Sequence, residues 1–93
     1  MNCKAKGTAN EHRSRKLLEA VGYSVIRAGA SLGVFDLIAV GSHDVIGVQV
    51  KTGRLPSPAE RESMRLFVGP PNFKRLIHVW YPRQRQPRVE EVL

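Results

Sequence analysis

Apolar residues at helical spacing follow the segment Thr8–Glu11, which has the form of a helix capping box. A glycine directly after this apolar run is a typical helix stop. The pattern predicts a first helix from about Ala9 to Val21, preceded by a flexible start over residues 1–7.

Three segments rich in alternating and β-branched residues come next, and they predict strands at Tyr23–Arg27, Phe35–Val40 and Val45–Lys51. Residues 29–33 have the composition of a flexible turn. Residues 41–44 are a good hairpin connection. The second and third segments are therefore predicted to pair as the two central strands.

The second half of the chain predicts one helix and two strands. A Ser57–Glu60 capping box with Pro at the first helical position begins a helix at about Pro58, and a Gly-Pro-Pro sequence ends it after Phe67. The remaining patterned segments predict a fourth strand and a short fifth strand at an edge of the sheet, Lys74–Tyr81 and Arg88–Leu93. The order α-β-β-β-α-β-β predicts one α/β domain over residues 1–93, with a mixed central sheet flanked by helices.

Polar residues interrupt the apolar pattern of the two central strands. Gln49 and Lys51 alternate with valines, so they should share one face of the sheet. Asp36 lies at the start of the neighbouring strand, where a carboxylate also needs a partner. One interpretation is a buried Asp36–Lys51 ion pair that holds the hairpin together, and the other is a shared functional site.

The chain is basic. Its 93 residues contain 15 Lys and Arg against 8 Asp and Glu, a formal charge of +7 with a pI near 10.3. This balance favours a polyanionic partner, with nucleic acid as the leading candidate, although ribosomal and membrane-surface proteins share it. A domain of this length is expected to be marginally stable alone, so dimerisation would help.

Cysteine and histidine usage excludes two common classes. The single Cys3 cannot form an internal disulfide, and the three histidines are too scattered for a zinc site. The start has no apolar segment typical of a signal peptide, and no stretch approaches the ~20 apolar residues of a membrane span. We expect a soluble, cytoplasmic protein with no membrane partner.

Taken in order, Glu11 on the first helix, Asp36 at a strand start and Gln49-Val-Lys51 on the next strand resemble the PD-(D/E)XK nucleases. The resemblance is to the archaeal-type Holliday junction resolvases and the small VRR-NUC nucleases, and it extends over KGTANEHRSRKLLEAVGYSVIRAGAS, DLIAV and GVQVKTG. It implies a restriction-endonuclease-like fold. Two positions depart from the pattern: Phe35 replaces proline, and Gln49 replaces a Glu or Asp.

The resemblance implies hydrolysis of DNA phosphodiesters, in branched DNA in particular, by a homodimer that uses Mg²⁺ or Mn²⁺. Asp36, the Gln49 side chain and the Val50 backbone carbonyl would hold the metal, and Lys51 would position the attacking water. Glu11 would hold the metal through water or bind a second ion. Its other interpretation is the N3 residue of the Thr8 capping box.

Further residues are candidates for DNA contacts. Ser31 is implied by the resemblance but could be an ordinary turn serine, and Thr52 could bind a phosphate or simply end its strand. Trp80 could stack on bases, although core or dimer packing suits its apolar strand better. The candidate phosphate contacts are Arg13, Arg15, Lys16, Arg27, Arg83, Arg85 and Arg88.

Three functions therefore remain open from the sequence. The chain could be an active endonuclease or a non-catalytic nucleic-acid-binding module that kept the nuclease fold but lost cleavage through Gln49. It could also be a basic protein with only a structural Asp–Lys pair. The sequence does not choose among junction, flap, nick, duplex and RNA, since all present phosphates to a basic surface.

Overall fold

A computed structural model describes residues 3–28 and 33–93 of the chain. Within these residues the chain forms two helices and five strands, in the predicted order α-β-β-β-α-β-β. No helix in these two ranges is long and apolar enough to cross a membrane. The elements are α1 (Cys3–Ala20), β1 (Ser24–Arg27), β2 (Leu37–Val40), β3 (Val45–Thr52), α2 (Pro58–Leu66), β4 (Phe73–Trp80) and β5 (Arg88–Glu91).

The five strands form one mixed sheet in the order β1-β2-β3-β4-β5. All neighbours are antiparallel except β3 and β4, which run parallel. A parallel pair needs a crossover connection, and α2 lies in that connection. The predicted mixed sheet, the β2–β3 hairpin and the edge position of the last strand are therefore confirmed.

Helix α1 begins earlier than the sequence pattern predicts. It starts at Cys3, so Thr8 lies inside the helix and the predicted capping box there is wrong. Lysine and alanine, which occupy the positions just after Cys3, are good helix formers and continue the helix through Gly7. The helix therefore includes residues 3–7. The helix ends at Ala20, one residue before the predicted Val21, and the predicted stop, Gly22, has a φ of +102°.

Helix α2 begins as predicted. The Ser57 side chain accepts from the backbone N–H of Glu60 at 3.1 Å, and the Glu60 carboxylate accepts from the Ser57 N–H at 2.9 Å. Pro58 occupies the first turn. This capping box fixes the Glu60 side chain at the helix start.

Each face of the sheet carries its own apolar core. One core includes Leu18 of α1, and the other includes Met64 of α2, so the two helices cover opposite faces. Phe35, Phe67 and Phe73 pack together in the second core. The members are Leu18, Val25, Leu37, Ala39, Ile46 and Val48 in the first core, and Ala28, Phe35, Ile38, Met64, Ile77 and Val79 in the second.

A buried polar cluster attaches α1 to β3 and β4. The Ser14 hydroxyl accepts from Nε1 of Trp80 at 2.8 Å and lies 2.9 Å from Nδ1 of His78. Nδ2 of Asn10 donates to the Thr52 hydroxyl at 2.7 Å. Burial lowers the pKa of His78 to about 4. Trp80 is thus a core residue, as its apolar strand indicates, and the residue is 4% exposed.

Candidate active site

Asp36 lies directly before β2, beside the middle of β3. Leu37, the first residue of β2, pairs with Val48 of β3. The backbone N–H of Asp36 donates to the Val48 carbonyl at 2.9 Å, and the Asp36 Oδ2 accepts from the Val50 N–H at 2.7 Å. The carboxylate is therefore fixed to the backbone of β3.

Gln49 and Lys51 lie on the face of β3 that α2 covers. Both contact one carboxylate oxygen, Oε2 of Glu60: Nε2 of Gln49 donates to it at 3.2 Å, and Nζ of Lys51 lies 2.6 Å away. The shared face that strand alternation predicts is thus observed. The alternative of an Asp36–Lys51 ion pair is wrong in its partner, because Lys51 pairs with Glu60.

The charge state of Asp36 responds to several neighbours. Burial raises the pKa of this carboxyl above its ordinary value, and the hydrogen bond from Val50 opposes the rise. The negative charge of Glu11 raises the pKa further, whereas the positive charges of Lys51 and Arg27 lower it. A cation bound beside Asp36 would favour the ionised form.

Glu11 lies on α1 close enough to Asp36 to affect its pKa. Its carboxylate forms an ion pair with Arg27 at 3.2 Å. Because the helix begins at Cys3, the interpretation of Glu11 as the N3 residue of a capping box is wrong. Glu11 is therefore available for a role at the start of β2.

One buried atom in this region lacks a partner. Oε1 of Gln49 is buried and has no hydrogen bond within the described part of the chain. The N–H of Val50 points toward Asp36. Because the N–H and C=O of one strand residue point to the same side of the strand, the Val50 carbonyl also points toward Asp36. A carboxylate with neutral carbonyl oxygens suits a hard divalent cation.

The negative charge of such a cation site would be low. Across residues 3–28 and 33–93, no group of three His, Cys, Asp or Glu is arranged to hold a metal ion. Asp36 would have to act with the neutral oxygens of Gln49 and Val50. These residues fit Mg²⁺ or Mn²⁺ in ligand type, and we expect the affinity to be modest.

Glu60 is the site residue that sequence reasoning missed. Its position in the Ser57 capping box was recognised, and that role explained the residue fully. The α2 crossover then brings it onto the face of β3 that carries Gln49 and Lys51. The available signal was the predicted mixed sheet, because a parallel strand pair needs a crossover connection and a helix in that connection packs on one face of the sheet.

The candidate DNA contacts are divided between a groove and local ion pairs. Arg13, Lys16, Arg83 and Arg85 line one open groove beside Trp80, and the Arg13 guanidinium lies 5.3 Å from the centre of the Trp80 ring. These four basic residues are thus brought together, although they lie on α1 and the β4–β5 turn.

The other candidates have different surroundings. Arg15 pairs with Glu19 at 3.1 Å, and Arg27 pairs with Glu11. Thr52 accepts a hydrogen bond from Asn10 and so helps to attach α1 to the sheet. Arg88 lies 3.3 Å from Glu90. Ser31 lies outside the described residues.

Comparison with solved structures identifies a neighbour for the whole fold. The chain is similar to a structure titled as Hjc, a Holliday junction resolvase from the archaeal hyperthermophile Archaeoglobus fulgidus. The TM-score is 0.75 with 23% sequence identity, over 94% of this chain and 73% of that one. No protein-family model matches the chain, and no curated protein matches it. At this identity the likeness shows the fold, and the function has to be argued from the site.

Proposed function

We propose that this protein is a metal-dependent endonuclease that hydrolyses DNA phosphodiesters, with branched DNA as its substrate and a homodimer as its working form. The observation that carries the proposal is the meeting of three polar groups beside the middle of β3. The carboxylate of Asp36 accepts from the Val50 N–H at 2.7 Å, and the positive charge of Lys51 is near enough to lower the pKa of Asp36. Oε1 of Gln49, the residue before Val50, is buried and has no hydrogen bond within the described part of the chain. The likeness of the whole fold to a Holliday junction resolvase supports the same class.

Asp36, Oε1 of Gln49 and the Val50 carbonyl would hold Mg²⁺, with Mn²⁺ able to substitute. When bound, the ion supplies a Lewis acid that lowers the pKa of water and offsets charge on the scissile phosphate. Lys51, held by Glu60, would donate hydrogen bonds to the attacking water or to a phosphate oxygen. Glu11 would accept a hydrogen bond from water near Asp36.

The basic groove formed by Arg13, Lys16, Arg83 and Arg85 would bind the DNA backbone. Its side chains contact phosphates without reading sequence, as expected for an enzyme that recognises DNA shape. The net charge of +7 would add long-range attraction that decreases with salt.

A second candidate function has one specific observation in its favour. Asp36 is the one carboxylate among the three proposed ligands, because Gln49 and the Val50 carbonyl are uncharged, and no cluster of three metal-ligating side chains of the His, Cys, Asp or Glu type lies among the described residues. A protein that kept the fold and the basic groove without cleavage would bind DNA as a module. Cleavage distinguishes the two functions directly.

The test is a cleavage panel of four-way junction, flap, single strand and duplex DNA, each in Mg²⁺ and in Mn²⁺. We expect metal-dependent cleavage of a branched substrate that Asp36→Ala abolishes. Asp44→Ala is the matched control, because Asp44 is also a half-buried carboxylate but contacts Tyr23 and Lys74 elsewhere. Salt-sensitive binding with no cleavage of any substrate would refute the nuclease and support the binding module.

A further inference from the structure

The contacts of Glu60 determine which end of the Gln49 amide faces which neighbour. Nε2 of Gln49 donates to Oε2 of Glu60 at 3.2 Å, and an ionised carboxylate can only accept. The same Oε2 forms an ion pair with the Lys51 ammonium at 2.6 Å, and both neighbours therefore use this oxygen as an acceptor. The amide must therefore turn its nitrogen toward Glu60.

The amide oxygen is then directed away from Glu60. Oε1 of Gln49 is buried, forms no hydrogen bond within the described part of the chain, and belongs to a residue that is 5% exposed. Leaving a buried acceptor unpaired costs about 1–3 kcal/mol. An oxygen held in this way is a free ligand position for a cation, whose binding would offset that cost.

From these contacts we infer that Glu60 is a positioning residue of the cation site. Glu60 acts through Gln49, by holding its amide so that the oxygen is free to bind the ion. It also acts through Lys51, by fixing the ammonium group on the same face. This inference rests on the proposed function, and it explains how a site with Gln49 in place of a carboxylate stays competent.

The capping box gives Glu60 the rigidity that this role needs. Its Oε1 accepts from the Ser57 N–H at 2.9 Å, while its Oε2 serves Gln49 and Lys51. A glutamine at position 60 would keep the capping box, because Glu and Gln both serve there. It has one acceptor oxygen, however, so its NH₂ group would face Lys51 and Gln49, and the Gln49 amide would turn.

The test measures Mn²⁺ binding by titration calorimetry, with no DNA and no cleavage. We expect Glu60→Gln to weaken Mn²⁺ affinity by about 10- to 100-fold, the usual effect of losing a group that orients a metal ligand. The double variant Gln49→Glu with Glu60→Gln should recover the affinity, because the carboxylate then ligates directly. Gln49→Glu alone should bind Mn²⁺ less tightly than the double variant, because its new carboxylate would face the carboxylate of Glu60.

Glu62→Gln is the matched control, because Glu62 lies on the same helix but pairs with Arg65 at the surface. We expect it to bind Mn²⁺ as the wild type does. If Glu60→Gln and Glu62→Gln weaken Mn²⁺ affinity equally, the loss follows from the change in net charge, and the inference is overturned. Unchanged affinity in Glu60→Gln, with binding lost in Asp36→Ala, would overturn the inference and leave the proposed function intact.

A wild type that binds no divalent cation would refute the metal-dependent function as well. A second measurement does not depend on variants: in ¹⁵N NMR spectra, Mg²⁺ should shift the Gln49 side-chain amide signals, whose oxygen would bind the ion. Mg²⁺ binding that leaves those signals unmoved would overturn the inference.

Discussion

The buried His78 makes the stability of the protein depend on pH. Burial lowers the pKa of His78 to about 4 in the folded state, below the value near 6.5 expected in the unfolded chain. The neutral ring therefore stabilises the fold above pH 6.5, and this contribution is lost as the pH falls toward 4. Linkage between the two values gives a loss of about 2 kcal/mol between pH 7 and pH 5.

Urea unfolding at pH 7 and pH 5 measures this loss. At the m-values of small domains, 2 kcal/mol corresponds to a midpoint lower by about 1–2 M urea. The control is His78→Asn, which removes the titration while its amide oxygen can still accept from the Ser14 hydroxyl. The free energy of unfolding should fall about 2 kcal/mol further in the wild type than in the variant. Equal losses would refute the reasoning.

Further predictions concern packing, capping and DNA binding. Gly47→Ala should cost about 1–3 kcal/mol in thermal unfolding, because a Cβ there would lie 2.8 Å from Phe35 and Phe73 atoms. Gly7→Ala in α1 meets no atom within 4 Å and should gain about 0.5–1 kcal/mol in the same assay. Ser57→Ala should cost about 1 kcal/mol in urea unfolding. Arg85→Ala should reduce the slope of log affinity against log salt by about 0.9, if the groove contacts one phosphate there.

The central part of the site was predictable because its determinants are local. Strand alternation places Gln49 and Lys51 on one face whatever the rest of the chain does. The hairpin connection then brings Asp36 alongside β3, where its carboxylate accepts from the Val50 N–H. The Ser57 capping box was predictable for the same reason, because its two partners lie three residues apart.

The features that the sequence did not predict depend on long-range packing. Ser14 meets His78 and Trp80 across 64 and 66 residues, so no local pattern marks them as one cluster. Glu60 reaches Gln49 only because the crossover places α2 over that face of β3. The predicted start of α1 was wrong for a different reason. The Thr8–Glu11 capping pattern competed with good helix formers that precede it in the chain, and the longer helix formed.

The most direct test of the account locates the bound ion. Crystals soaked in Mn²⁺ would show its position by anomalous scattering. We predict one site within coordination distance, about 2 Å, of an Asp36 oxygen and Oε1 of Gln49. A Mn²⁺ ion bound elsewhere, with Asp36 and Gln49 still free of metal, would contradict the account.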